Sequence, residues 1–399
     1  MNAFERRIKE YADRAAAVQG EGLYFYLQPV EAVDGAWATV AGRRKLLASS
    51  YSYLGLIGHP AIAAAAQEAL ARYGTGTHGV RLLAGNTDLH DRMEARIAAF
   101  TDSEASVVYS SGYLANVAAI SALLGRDDVV ICDKLDHASI VDGCLLSGAQ
   151  FVRVAHNDIG AFERALRRAP ARASRLVVVD AVFSMDGDLI DLPALVAVCR
   201  RHGAWLMVDE SHSLGVLGER GQGIESHFGL HGAIDVRMSS LSKSVPSAGG
   251  YIAGSARLVS YLKHASRAFV FSAALPPASA AAVIAALDVI EAEPERVARL
   301  HDHVRRFRAA LQAAGLPVRS DPTPIVPVIT GDDEGAMRIA RYLDDRDIFA
   351  LPIVSPAVPP RTSRLRITVT AAHTLDEVDH IAAALSAAWR EITLALTEG

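Results

Sequence analysis

Between about residue 60 and residue 255, short apolar, β-branched runs alternate with stretches of helical periodicity, and this alternation narrows the fold more than any other feature. SVVYSS (106–111), DVVICD (128–133), RLVVVDA (175–181), AWLMVDE (204–210), DVRMSS (234–239) and GGYIAG (249–254) read as buried strands. Helical segments such as LPALVAVCRRHG (192–203) separate most of them. Strand–helix alternation of this kind specifies an α/β fold with a mostly parallel, doubly wound sheet and helices on both faces. Past about residue 295 the pattern changes to a long charged helix, RVARLHDHVRRFRAALQAAG, then shorter strands and a final helix, TLDEVDHIAAALSAAWREITLAL. The expected organisation is an N-terminal helix and small-domain segment over 1–58, a large domain over 59–295 and a smaller C-terminal α+β domain over 296–399. A helix around 276–300 is expected to join the last two.

Composition limits what such a chain binds. With 399 residues, 51% of them hydrophobic and 21% charged, the core is ample for two domains. A formal net charge of −5 gives no basis for a nucleic-acid footprint. Cys132, Cys144 and Cys199 stand far apart without a C-x-x-C pair. That argues against a disulfide framework and a zinc site, and it fits a reducing cytoplasm. The N-terminal MNAFERRIKEYADRAAA is charged and amphipathic, without the apolar stretch of a secretory signal, and reads as a helix lying on the protein body. The longest apolar run, roughly 268–290, is broken by Pro276 and Pro277 and reads as a turn followed by a buried helix, not a membrane span.

In open α/β sheets, ligands collect beyond the carboxyl ends of the strands, and four polar clusters fall there. SSGY (110–113) opens a helix. Small residues at a helix N-terminus suit a phosphate, although the cluster taken alone reads first as a plain serine N-cap. DKLDHAS (133–139) puts His137 just past a strand, either flat against a cofactor ring or simply at a helix start. VDESHS (208–213) ends a strand on Asp209, either opposite a pyridine nitrogen whose proton its charge would hold or as a turn cap. His212, three residues on, could reach the ring's phenolic oxygen. SSLSKS (239–244) places Lys243 among small residues between two strands, where partial burial would keep an amine neutral for Schiff-base chemistry. A serine nucleophile at Ser240 activated by Lys243 is the competing reading, but the S-D-N and K-T-G companions of such enzymes are missing.

Taken in order, the segments GTGTHGVRLLAGNTDLH (74–90), YSSGYLAN (109–116), DHASIVDG (136–143), FSMDGD (183–188), VDESHSLGVLG (208–218), SLSKS (240–244) and RLRITVTAAHT (364–374) resemble the α-oxoamine synthase family. That family belongs to the fold type I enzymes of pyridoxal 5′-phosphate (PLP), and the resemblance covers nearly the whole chain. It implies Lys243 as the Schiff-base lysine, Asp209 as the pyridinium partner, His212 at the phenolic oxygen and His137 stacked on the ring. It further implies Ser184 as a cofactor contact, Ser111, Gly112 and Tyr113 as the phosphate turn, and Ser240 as an added hydroxyl. Ser272, in FVFSAALPP, would reach the phosphate of a neighbouring subunit, so a homodimer with shared sites is implied. Arg366 would clamp the amino-acid carboxylate with Tyr51 beside it. His78 and His90 fall near the active-site entrance in such proteins, with a structural role equally open.

The implied reaction is a decarboxylative Claisen condensation of serine, glycine or alanine with an acyl thioester of CoA or acyl-carrier protein. Tyr51 in SSYSYLGL, together with DHASIVDGC and FSAALPP, leans toward the serine palmitoyltransferase branch, with 8-amino-7-oxononanoate synthase also near. Departures stand at Ser240 (usually threonine), Pro246 (usually glycine), Asp180 (commonly glutamate) and Val354, where that branch carries a mobile arginine. Ser355 also interrupts its double proline. The rival readings are an aminotransferase of the same fold and a non-catalytic partner subunit, although such subunits typically lose the lysine.

Overall fold

The computed structural model describes residues 1–397. Its central sheet has strands β1 (Ala105–Tyr109), β2 (Val129–Asp133), β3 (Gln150–Val154), β4 (Arg175–Asp180), β5 (Trp205–Asp209), β6 (Val236–Ser240) and β7 (Gly250–Gly254). They lie in the order β1-β7-β6-β5-β4-β2-β3. Neighbours from β6 through β3 run parallel, and β7 alone runs antiparallel, against both β1 and β6. Alternate side chains feed two separate cores. Val177 and Val179 of β4 join one, while Leu176 and Val178 join the other. Because both faces are covered, the strands read as continuous apolar runs instead of an alternating pattern. The expected doubly wound, mostly parallel sheet is therefore present.

Two smaller sheets tie the ends of the chain together. Val30–Asp34, Trp37–Val40 and Arg43–Leu47 form a meander whose last strand pairs in parallel with Ile348–Phe349. Ile325–Gly331, Ser363–Thr368 and Pro352–Ile353 form the other. The segment after Leu47 runs beside the last of these long strands: Thr368 N–H donates to Ala48 O and Ala371 N–H to Tyr53 O, each at 2.8 Å. This lays Tyr51 and Tyr53 alongside Arg366.

Four details differ from the sequence reading. β3 was not among the expected strands: it is a half-exposed edge strand carrying Gln150 and Arg153, without the buried run of its neighbours. The N-terminal helix Ala3–Gly20 forms, with an Asn2–Glu5 capping box, but buries none of its residues, so it does not lie on the body of this chain. The apolar run includes a short helix, Arg267–Val270, before the turn; Pro277–Ala292 follows it and is largely buried, as expected. The joining helix is two helices, Pro277–Ala292 and Glu295–Ala313, because Pro294 has no N–H to continue the first. Among the described residues no helix is long and apolar enough to cross a membrane.

Candidate active site

The carboxyl ends of β4, β5 and β6 open into a cavity of about 200 Å³. Asp209 closes β5 and is buried there. Asn116 Nδ2 donates to its Oδ2 at 2.7 Å, and the Ser211 backbone N–H donates to Oδ1 at 2.9 Å. Asn116 sits one turn into the helix Gly112–Leu123, and the same amide nitrogen donates to Ser139 Oγ at 2.9 Å. Ser139 Oγ meets His137 Nδ1 at 2.7 Å, so a line of hydrogen bonds joins His137 to Asp209. The Asn116 Oδ1 atom is buried without a partner among the described residues.

Lys243 follows β6 on a loop, half-buried, and its amine makes no hydrogen bond or ion pair among the described residues. Burial lowers its pKa, opposed by the carboxylates of Asp209 and Asp180 and aided by Arg366. The lysine thus loses its proton more readily than one in water. Asp180, at the end of β4, accepts the His137 backbone N–H at 3.0 Å. Burial raises its pKa well above the carboxylate range, and the neighbouring charges of Asp209 and Asp136 add to this.

The helix Gly112–Leu123 begins at Ser111, whose hydroxyl accepts the Leu114 N–H at 3.2 Å. Its first residue presses against the sheet. A Cβ on Gly112 would stand 2.9 Å from Ser240 Cβ, and one on Gly250 would stand 2.4 Å from Gly112 Cα. Only glycine allows that approach. Ser240 and Ser242 share a 2.7 Å hydroxyl contact beside it, and Ser240 N–H donates to Ser211 Oγ at 2.9 Å.

The fourth wall comes from the ends of the chain. Arg366 is buried; its Nε donates to Ser184 O at 2.6 Å, Nη1 to Thr368 Oγ1 at 3.3 Å and Nη2 to Tyr53 Oη at 3.3 Å. The Tyr51 ring lies 4.6 Å from the guanidinium carbon and packs edge-on against His212. Tyr53 Oη contacts His212 Nδ1 at 2.6 Å. Burial, with Lys243, Arg366 and His137 adding to it, holds His212 well below the usual histidine range. His137 is likewise lowered by burial, an effect reinforced by Lys243 and opposed by Asp209.

Of the residues singled out from sequence, Lys243, Asp209, His212, His137, Ser111, Gly112, Tyr113, Ser184 and Ser240 all line this cavity. Arg366 and Tyr51 adjoin it through their contacts with Ser184 and His212. Ser272 does not reach it. It lines a separate hollow with Arg81, Tyr109 and Phe269. His90 is fully buried, bonding Thr87 and Leu275 O, while His78 is exposed, and neither lines the cavity. The structure adds Asn116, Ser139, Tyr53 and Ser211. Asn116 alone carried a signal, as the one amide on the inner face of the YLAN turn. The donor set fits PLP. A helix N-terminus with small residues suits its phosphate, a buried carboxylate its ring nitrogen, and an amine that loses its proton readily its aldehyde.

A family model described as aminotransferase class I and II matches residues 43–385. The chain belongs to that family. Within aminotransferase class I and II, it is 39% identical over 362 residues to a serine palmitoyltransferase of Sphingobacterium spiritivorum, covering 91% of each chain. It is 44% identical over 387 residues to an 8-amino-7-oxononanoate synthase of Geobacter sulfurreducens, covering 96% of this chain and 99% of the relative. The serine palmitoyltransferase (SPT) structure from Sphingomonas wittichii superposes with a TM-score of 0.95 at 31% identity, over 99% of this chain and 100% of that one. A high-resolution structure of SPT with PLP internal aldimine gives the same score and identity, over 98% and 100%. This member of aminotransferase class I and II is a PLP-dependent acyltransferase of the α-oxoamine synthase group, as the sequence motifs implied.

Proposed function

We propose that this enzyme condenses a small L-amino acid (serine, glycine or alanine) with an acyl thioester, releasing an α-amino ketone, CO2 and the free thiol. The observation that carries the reading is Lys243, an amine without a partner among the described residues and with a lowered pKa, at a cavity that Asp209 also lines. PLP, when bound, withdraws electrons from the α-carbon of an amino acid attached to it, so that bonds at that carbon can break and form. Lys243 would hold the cofactor and, once displaced, take the α-proton on Nζ. Asp209, with both oxygens occupied by donors, supplies a fixed negative charge for the ring nitrogen. His137 and His212 stay neutral at the cavity wall, and Ser111, Gly112, Tyr113, Ser184 and Ser240 complete the cofactor's surroundings. Arg366 offers its remaining N–H groups to the substrate carboxylate, a task suited to a planar guanidinium, with Tyr51 flanking it.

The acyl donor is a thioester of CoA or acyl-carrier protein. Val354, which stands in place of a mobile arginine, separates this chain from the palmitoyltransferase pattern. The proposal includes a cytoplasmic homodimer, with Ser272 of each protomer completing the other's phosphate site; the three cysteines are buried and free. An aminotransferase reaction would release a keto acid, whereas this one releases CO2 and thiol. Incubating the holoenzyme with each amino acid, with and without acyl-CoA or acyl-carrier protein, distinguishes them. The proposal requires thiol and CO2 in equal amounts, and requires Lys243→Ala to lose both turnover and the cofactor band at ~420 nm. A Lys243→Ala enzyme that retains full activity and the band overturns it. A purified chain that never takes up PLP points instead to a partner subunit.

A further inference from the structure

Tyr53 is wholly buried, and two groups of opposite character hold its hydroxyl. Arg366 Nη2 donates to it at 3.3 Å, and His212 Nδ1 lies 2.6 Å away. A guanidinium has donors only, so the Tyr53 oxygen accepts from Arg366. Its own proton then needs an acceptor, and among the described residues the one within reach is His212 Nδ1. The reverse arrangement, with His212 donating, leaves a buried hydroxyl proton without a partner among the described residues, which is costly. Burial pushes the Tyr53 hydroxyl up to about 12, against the lowering pull of Arg366, so it keeps its proton. The neutral His212 ring therefore carries its one proton on Nε2. Lys243, Arg366 and His137 are the other titratable groups that act on the ring, and all of them oppose a second proton there. The Tyr51 ring, 6.0 Å from that of His212, packs edge-on beside it.

We propose that Tyr53 is a positioning residue: it fixes the His212 tautomer so that Nε2–H is offered to the cofactor, and it links that donor to Arg366 on the substrate side. The inference rests on the PLP reading of the cavity. Donation runs one way, from Arg366 to Tyr53 to His212, across three chain segments. An amino-acid carboxylate on Arg366 is thereby two hydrogen bonds from the group that faces the cofactor's oxygen. A fixed donor at that oxygen favours its anionic form and lowers the pH at which the cofactor's imine gives up its proton.

The first test uses the unmodified apo protein, labelled with nitrogen-15 histidine, with the His212 signal assigned by comparison with His212→Gln. Nε2–H is expected, and Nδ1–H overturns the assignment. The second uses Tyr53→Phe, which removes only the hydroxyl. His212 is expected to move toward the Nδ1–H form. In the holoenzyme the pH midpoint of the ~420 nm band is expected to rise by about one unit, a tenfold change in proton affinity. A purely structural tyrosine would lower the melting temperature and leave both readouts in place, and that result overturns the proposal. If the chain takes up no PLP, the cofactor reading fails, while the apo tautomer still decides the role of Tyr53.

Discussion

Asn116 Nδ2 donates to Asp209 Oδ2 across 2.7 Å, joining a helix to a strand end 93 positions away in the chain. Both Asp209 oxygens are thereby occupied by donors, and the carboxylate is held in one orientation. Replacing Asn116 by alanine leaves one buried oxygen without its donor, at a cost of about 1–3 kcal/mol. Asn116→Ala is expected to lower the melting temperature and to weaken PLP binding by about tenfold, or about 1.4 kcal/mol. Calorimetry and an absorbance titration with PLP check both effects, and unchanged binding would remove Asn116 from the site.

Gly112 is the next test. An alanine there puts Cβ within 2.9 Å of Ser240 Cβ, and Met238 Cε lies 3.2 Å away on the same side. The helix must retreat from the strand end, an overpacking cost of about 1–3 kcal/mol. Gly112→Ala is expected to lose PLP more readily on dialysis than the parent, read as the residual cofactor absorbance. Equal retention would mean that the close approach serves packing alone.

His156 bridges two buried aspartates, with Nδ1 3.1 Å from Asp133 and Nε2 2.8 Å from Asp188. Burial alone would lower its pKa, but the two carboxylates override that and push it up to about 9. A histidine whose folded pKa exceeds its unfolded value stabilises the protein fully below about 6.5, and that contribution is lost as pH rises through the folded value. Stability is therefore expected to fall between about pH 6.5 and 9, by about 1–2 kcal/mol after solvent screening. His156→Gln should flatten that slope in denaturant melts across the window. A slope that persists in the variant would assign it to other groups.

Arg366 uses three of its N–H groups on Ser184 O, Thr368 Oγ1 and Tyr53 Oη. A lysine ammonium is a point charge and cannot reproduce that planar set. Arg366→Lys is expected to raise KM for the amino acid by about tenfold or more, with a smaller change in kcat. Steady-state kinetics at varied amino acid and saturating thioester read the split, and an unchanged KM would exclude Arg366 as the carboxylate clamp.

Much of this cavity was legible in the sequence because its groups follow strand ends, and a parallel sheet gathers such ends at one edge. Asp209, His212 and Lys243 each follow an apolar run that announces its strand, and Gly112 opens a helix directly after one. Tyr53 carried no such signal. It lies in a loop, and its partners stand 159 and 313 positions away. Ser139 looked like any residue of a helix's first turn, and its place beneath His137 depends on how that helix docks. β3 escaped notice because an edge strand needs only one covered side, so its polar residues broke the apolar run. Ser272 was singled out by family resemblance alone, and a single chain leaves it in a different hollow.

The relay through Tyr53 also has a consequence in time. During synthesis, Ser111, His137, Asp209 and Lys243 are all polymerised before Arg366, which follows Lys243 by about 120 residues. At about 5–20 residues per second, roughly 6–25 seconds separate them. A nascent chain thus carries Ser111, His137, Asp209 and Lys243 while the strand bearing Arg366, the proposed carboxylate clamp, has yet to be made. On the proposed reading, the part of the site assigned to the cofactor is synthesised before the part assigned to the substrate, and the hydroxyl of Tyr53 bonds across the two.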